Sequence, residues 1–204
     1  MNRKERINWI VKVSIFAAMS SVLYCLRFPL PFFPSFLDVQ FSNLPAILAG
    51  FIFGPFGGAI VIVIKTLLKL LIQSSGTGGV GEVADLVIGL IVVIPSSIIY
   101  QKNKTKKGGV IALLVAGTCW VVGSVAANYF FLIDFYAYII EGGMAALVSY
   151  CSDVIPNATV ENFKNLYILY AALPFNTLLS SVVLTVTFFV YKHLSNIFKK
   201  DFLK

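Results

Sequence analysis

Glu82 and Asp85 stand three residues apart in an apolar stretch, and Lys65 and Lys69 stand in the apolar stretch before it. Residues at i and i+3 share one helix face, so the two carboxylates form a pair. Such a pair can act as acid and base, and a lysine within reach can neutralise one member. Ionisable groups are expensive in lipid, so each asks for a partner, a water-filled cavity or a ligand. Lys65 lies near the middle of its apolar run, roughly 13 Å from either end at ~1.5 Å per residue, which is too deep to snorkel, whereas Lys69 is one turn closer to an end. Two roles are open to Lys65: a structural pair with Asp85 or with carbonyls between helices, or contact with a ligand or partner protein.

Just before Glu82 runs Gly76-Thr77-Gly78-Gly79-Val80-Gly81. Backbone N–H groups around Gly79, at a helix start, suit a polar or anionic ligand, although Glu82 can simply cap that first turn. The run lacks the Lys-Ser/Thr that ends a P-loop, so ATP hydrolysis by that chemistry is excluded. His193 is the single histidine, and Cys25, Cys119 and Cys151 have no metal-binding spacing, so neither a catalytic triad nor a metal site is expected. Polar groups of another kind stand farther along. Asn128 sits in Ala126-Ala127-Asn128-Tyr129-Phe130-Phe131, and Asn176 follows Pro174-Phe175. A buried asparagine must find hydrogen bonds, either across helices or with a ligand. With the Phe- and Pro-rich segment 29–42, including Phe41, and with Tyr129, the asparagines are expected to line one pocket with aromatic walls and few polar contacts. That pocket suits a flat, neutral, polyhydroxylated or heterocyclic molecule.

The elements that position these residues follow from composition. Of 204 residues 58% are hydrophobic and 12% charged, against roughly 25% charged in a soluble domain. A span uses about 20 residues, so the chain reads as one all-α integral membrane domain of six transmembrane helices, over about 8–28, 43–54, 56–73, 82–100, 109–132 and 166–191. The second is short for a crossing, and Pro45 and Pro55 mark its ends. Basic residues fall on one side: Arg3, Lys4, Arg6 and Lys12, then Lys102, Lys104, Lys106 and Lys107, then Lys192, Lys199, Lys200 and Lys204. The other side receives Arg27 and Lys164 with Asp38, Asp134, Glu141, Asp153 and Glu161. Both termini are therefore cytoplasmic. The net charge of +7 reflects topology, not nucleic-acid binding, because the basic residues are scattered around membrane ends. Segment 133–165 reads as an outer cap or interfacial helix. On the first helix Ser14 and Ala18, like Ala17 and Ser21, are four apart, a spacing that lets another helix approach closely.

Several blocks occur in a telling order: Leu37-Asp38-Val39-Gln40-Phe41-Ser42-Asn43-Leu44-Pro45-Ala46, Phe53-Gly54-Pro55-Phe56-Gly57-Gly58, Lys65, Thr77-Gly78-Gly79-Val80-Gly81-Glu82, and Pro174-Phe175-Asn176. The pattern resembles the substrate-binding S components of energy-coupling factor (ECF) vitamin transporters, closest to the riboflavin-specific branch. The resemblance implies six helices with both termini inside and a vitamin pocket on the outer side. It implies a first helix that faces a membrane-embedded T component, with two ABC ATPases below, and a subunit that topples to carry its ligand inward. Two positions depart from the branch: Asp85 stands where asparagine is frequent, and Leu179 where a lysine is frequent.

The expected function is therefore high-affinity binding and uptake of riboflavin or a related flavin at the plasma membrane of a bacterium, without a cofactor and without catalysis. Asn128 and Asn176 are the first expected ligand contacts, then Glu82 and Asp85, with Gly79, Phe41, Tyr129 and Lys65 around them. Ala17, Ala18, Ser21 and Ser14 are the expected partner contacts. The alternatives are an S component for another vitamin-like heterocycle, an intramembrane enzyme using Glu82 and Asp85, and a proton-coupled carrier using Asp85 and Lys65.

Overall fold

A computed structural model describes residues 2–72 and 77–201; Gly76 of the glycine-rich run and Lys204 lie outside them. Helix α1 is Arg3–Cys25. Its start is set by Asn2, which accepts from Glu5 N at 2.9 Å while Glu5 Oε2 accepts from Asn2 N at 2.9 Å. The helical stretch Asn43–Ile72 breaks at Gly54, whose φ of +83° and ψ of 176° are closed to residues with a Cβ. We name its arms α2 (43–53) and α3 (55–72). Along a straight helix Gly50 and Gly58 would lie roughly 12 Å apart at 1.5 Å per residue. Instead a Cβ on Gly58 would stand 2.9 Å from Gly50 Cα and 3.1 Å from the Ala46 carbonyl. The chain thus folds back on itself without a loop. Pro55, just past the reversal, occupies a first-turn position where its missing N–H costs nothing.

Helix α4 is Val80–Lys102, α5 is Lys106–Ile139, α6 is Gly143–Tyr150, and α7 is Phe163–His193, continuing helically to Asp201. The six membrane helices are α1 to α5 and α7. With the basic ends inside, the outer side carries the loop between α1 and α2, the α3–α4 connection, and the cap built from residues 133–162. The α1–α2 loop holds a two-residue antiparallel pair, β1 (Phe28–Pro29) with β2 (Asp38–Val39).

The last two spans are longer than the hydropathy pattern predicts. Each contains a π turn, Asn128–Leu132 in α5 and Ile168–Ala172 in α7, and each continues through it into the cap. Two cores result. One, within the membrane helices, includes Ile47, Val61, Ile62, Val92, Val93 and Ala116, each at 0% exposure. The other fills the cap with Leu132, Ile133, Leu147, Cys151, Ile155 and Phe163. Lys164 and Asp134 close an ion pair of 2.6 Å across the start of α7 and the end of α5.

Candidate functional site

A cavity opens between the two cores, roofed by the α1–α2 loop. Three helices and the loop supply most of its lining, and Tyr24 of α1 and Asn43 of α2 complete it. The α4 wall is Gly81, Ala84, Asp85 and Ile88, spaced i, i+3, i+4 and i+7, which places them on one stripe. The α5 wall is Trp120, Asn128, Leu132 and Tyr136, and α7 supplies Tyr167, Phe175, Asn176 and Leu179. The loop contributes Arg27, Phe36, Asp38 and Gln40.

Aromatic surface dominates. Phe36 lies 5.0 Å from the Tyr136 ring and 6.2 Å from the Tyr167 ring, nearly parallel to the latter. Phe33 from the same loop meets Phe175 edge-to-face at 5.3 Å. Two amides interrupt these apolar walls. Asn176 Nδ2 donates to the Ala172 carbonyl at 2.8 Å, and Asn176 Oδ1 accepts from Trp120 Nε1 at 3.2 Å. Asn128 Nδ2 donates to the Ser124 carbonyl at 2.8 Å. Both asparagines therefore stand at a π turn: Asn128 begins one, and Asn176 is anchored to the last carbonyl of the other. Tyr167, 2% exposed, lines the cavity with a hydroxyl that has no hydrogen-bond partner among the described residues. An unpaired buried hydroxyl costs free energy, which a hydrogen bond from a bound molecule would recover.

Charge enters at two places. Lys65 Nζ, fully buried, lies 2.7 Å from Asp85 Oδ2 and also donates to Ser42 Oγ at 2.7 Å and Asn43 Oδ1 at 2.6 Å. Gln40 Nε2 donates to the other Asp85 oxygen at 2.8 Å. At the mouth Arg27 Nη1 lies 2.8 Å from Asp38 Oδ2 and clamps the two edges of the β1–β2 hairpin.

The residues expected from sequence distribute as follows. Asn128, Asn176 and Asp85 line the cavity together. Lys65 stands behind Asp85. Glu82 is fully buried and is not part of the wall. Gly79, with φ +93°, begins α4 outside the wall, and Phe41 packs into the membrane core. Tyr129 is 43% exposed and points away from the cavity, against Phe130. On α1, Ala17 and Ser21 are buried within the molecule, where Ser21 Oγ donates to the Ala17 carbonyl at 2.8 Å, while Ser14 and Ala18 are exposed.

Arg27, Phe36, Gln40, Trp120, Tyr136 and Tyr167 were not singled out from the sequence. Strand alternation carries the signal for Gln40: Asp38 and Gln40 face the cavity, and Val39 and Phe41 face the core.

The comparisons with known proteins agree with this architecture. Residues 8–202 match the family described as "ECF transporter, substrate-specific component". The riboflavin transporter FmnP of Bacillus subtilis is 29% identical over 90% of this chain and 89% of its own length. The riboflavin transporter RibU of Staphylococcus aureus is 27% identical over 98% of this chain and 100% of its own length. Among solved structures, the S component of a bacterial ECF transporter superposes with a TM-score of 0.71 at 26% identity, covering 95% of this chain and 99% of the other. The six-helix bundle, its roofed cavity and a match that spans nearly the whole chain lead to one conclusion: this protein belongs to the family of substrate-specific components of ECF transporters.

Proposed function

We propose that the protein binds riboflavin, or a closely related flavin, in the outer cavity and delivers it through an ECF transporter in the plasma membrane of a bacterium. The observation that carries this reading is the wall itself: stacked aromatic surface with Asn128 and Asn176 on opposing helices. A flavin presents a flat ring with an apolar end, a polar edge of alternating donors and acceptors, and a hydroxylated chain. The aromatic rings give the flat surface its contacts, and amides satisfy donors and acceptors alike. Names of the relatives from Bacillus subtilis and Staphylococcus aureus support the choice of ligand.

The departures at Asp85 and Leu179 fit this reading. Lys65 neutralises Asp85, so the cavity presents no net charge at that wall to a neutral ligand. Leu179 adds apolar surface beside Asn176. The polar edge then depends on the amides, Gln40 and the Tyr167 hydroxyl.

In this reading the chain needs no cofactor and carries out no catalysis; its partners are riboflavin, the bilayer, a membrane T component and two ABC ATPases, with no nucleic acid. An acid–base role for Glu82 and Asp85 lacks a shared approach to substrate, since Glu82 is off the wall and Asp85 is tied to Lys65 and Gln40. Uptake of labelled riboflavin in a riboflavin-auxotrophic host tests the proposal. Uptake requiring both this chain and an ECF module supports it. Uptake by the chain alone, collapsed by an uncoupler, would instead favour a proton-coupled carrier.

A further inference from the structure

On the lipid-facing side of the molecule, a groove of about 610 Å³ runs between α5 and α7. Its walls include Val110, Leu114 and Gly117 on α5 and Leu184, Phe188 and Phe189 on α7. Five hydroxyls also face it, and each is spent within its own helix. Thr118 donates to the Leu114 carbonyl at 3.1 Å, Thr177 to Leu173 at 2.7 Å, Ser180 to Thr177 at 3.2 Å, Ser181 to Thr177 at 2.6 Å, and Thr185 to Ser181 at 2.7 Å. The groove therefore asks for no polar partner. From residue 110 to residue 121 it rises roughly 17 Å at 1.5 Å per residue, close to half of a ~30 Å hydrocarbon core.

At its cytoplasmic end the groove continues into a second recess that shares Val110 and Phe188 and is bordered by Lys106, Lys107 and Lys192. All three lysines are exposed. Tyr191 closes the floor of this recess: its ring fills the space a Cβ on Gly109 would need, approaching to 2.6 Å. An apolar channel one leaflet long that ends at three cations on the cytoplasmic face has the shape and charge of an anionic phospholipid.

We infer that the α5–α7 groove is a binding site for an anionic diacyl phospholipid of the inner leaflet, with an acyl chain laid along the groove over Gly117 and Leu184 and the headgroup phosphate at Lys106, Lys107 and Lys192. The site lies on the outer surface of the bundle, separate from the substrate cavity, and is independent of which substrate that cavity takes. A transmembrane helix of a partner would need small residues for close approach or unspent hydroxyls to bond across. Thr177, Ser181 and Thr185, four apart on α7, would admit a helix, but an apolar helix leaves the three lysines at the cytoplasmic end unanswered, whereas a phospholipid headgroup meets them.

Native mass spectrometry of the full chain, extracted from bilayers of equal dioleoyl-phosphatidylglycerol and dioleoyl-phosphatidylcholine, tests this with chains held constant. The site predicts retention of the glycerol lipid at least fivefold over the choline lipid. Lys106→Gln/Lys107→Gln/Lys192→Gln removes the preference and the corresponding arginine triple keeps it. Ser181→Phe, which fills the groove from an exposed position, lowers retention of both lipids. Unaltered helicity and monodisperse elution of each variant secure the comparison. Equal retention of the two lipids by the unmodified chain, or an unchanged preference in the glutamine triple, overturns the inference. So does a Thr185→Cys thiol shielded from alkylation only when a T component is bound, which would make the groove a helix-docking surface.

Discussion

Lys65 Nζ and Asp85 Oδ2 meet at 2.7 Å, joining α3 to α4 at the wall of the outer cavity. Three oxygens, from Asp85, Ser42 and Asn43, surround an ammonium that has three donors. The Tyr24 ring adds a face 5.0 Å away. The network goes on: Ser42 Oγ donates to Gln40 Oε1 at 2.5 Å, and Ser20 of α1 donates to the Ser42 carbonyl. One buried cation thus ties four membrane helices, α1 to α4, to the loop that roofs the cavity.

Removing one member of a buried pair strands the other. Asp85→Leu should therefore destabilise the protein by about 3–5 kcal/mol, whereas Asp85→Asn, which keeps an oxygen facing Lys65, should cost clearly less. Thermal unfolding in detergent measures both. If the two variants melt alike, Asp85 is not what holds Lys65.

The reversal at Gly54 gives a second expectation. Gly54→Ala meets no atom within 4 Å, so its penalty is conformational, about 1–3 kcal/mol. Gly58→Leu pushes side-chain atoms into the Gly50 backbone and should separate α2 from α3 altogether. Melting temperatures should fall in that order, and a harmless Gly58→Leu would contradict the tight hairpin.

Arg27 and Asp38 clamp the mouth from a partly exposed position. Arg27→Ala should accelerate release of bound ligand several-fold with little change in melting temperature, because exposed pairs contribute only about 0–1 kcal/mol. Stopped-flow fluorescence reads the release rate directly.

Cys151 lies in the cap core, and burial pushes its thiol up to about 12 from an ordinary 9.0. It should resist maleimide at pH 8 in the folded protein, while Cys25 and Cys119 are partly exposed. The sign of the pH effect follows. Between about pH 9 and 12 the unfolded thiol is ionised while the folded one keeps its proton, so the cap loses stability as pH rises through that window. Prompt labelling of Cys151 at pH 8 would contradict the packed cap.

Much of the frame was legible in the residues. Apolar runs and lysine asymmetry gave the six helices and their direction, and Gly54-Pro55 marked the boundary between the second and third. The identity of the wall was harder, and the π turns explain why. In a regular helix Tyr136 would sit about 80° around from Asn128, but one extra residue in a π turn brings it to within about 20°. The same insertion moves Tyr167 from about 180° to about 80° relative to Asn176. Hydropathy does not register a π turn, so Tyr129, adjacent to Asn128, drew attention that Tyr136 and Tyr167 merited. In the loop the alternation that marks Gln40 runs over only four residues, 38–41, of which β2 holds two, too few to separate Gln40 from Phe41.

The central claim is that Asn128 and Asn176 bind a flavin between aromatic walls. Titrating riboflavin into the purified, ligand-stripped protein while following flavin fluorescence tests it most directly. The account predicts saturable quenching with a sub-micromolar midpoint, weakened at least tenfold in Asn176→Ala, a loss of about 1.4 kcal/mol or more. A folded protein that leaves flavin fluorescence unchanged, or an Asn176→Ala variant that binds as tightly as the unmodified chain, would contradict it.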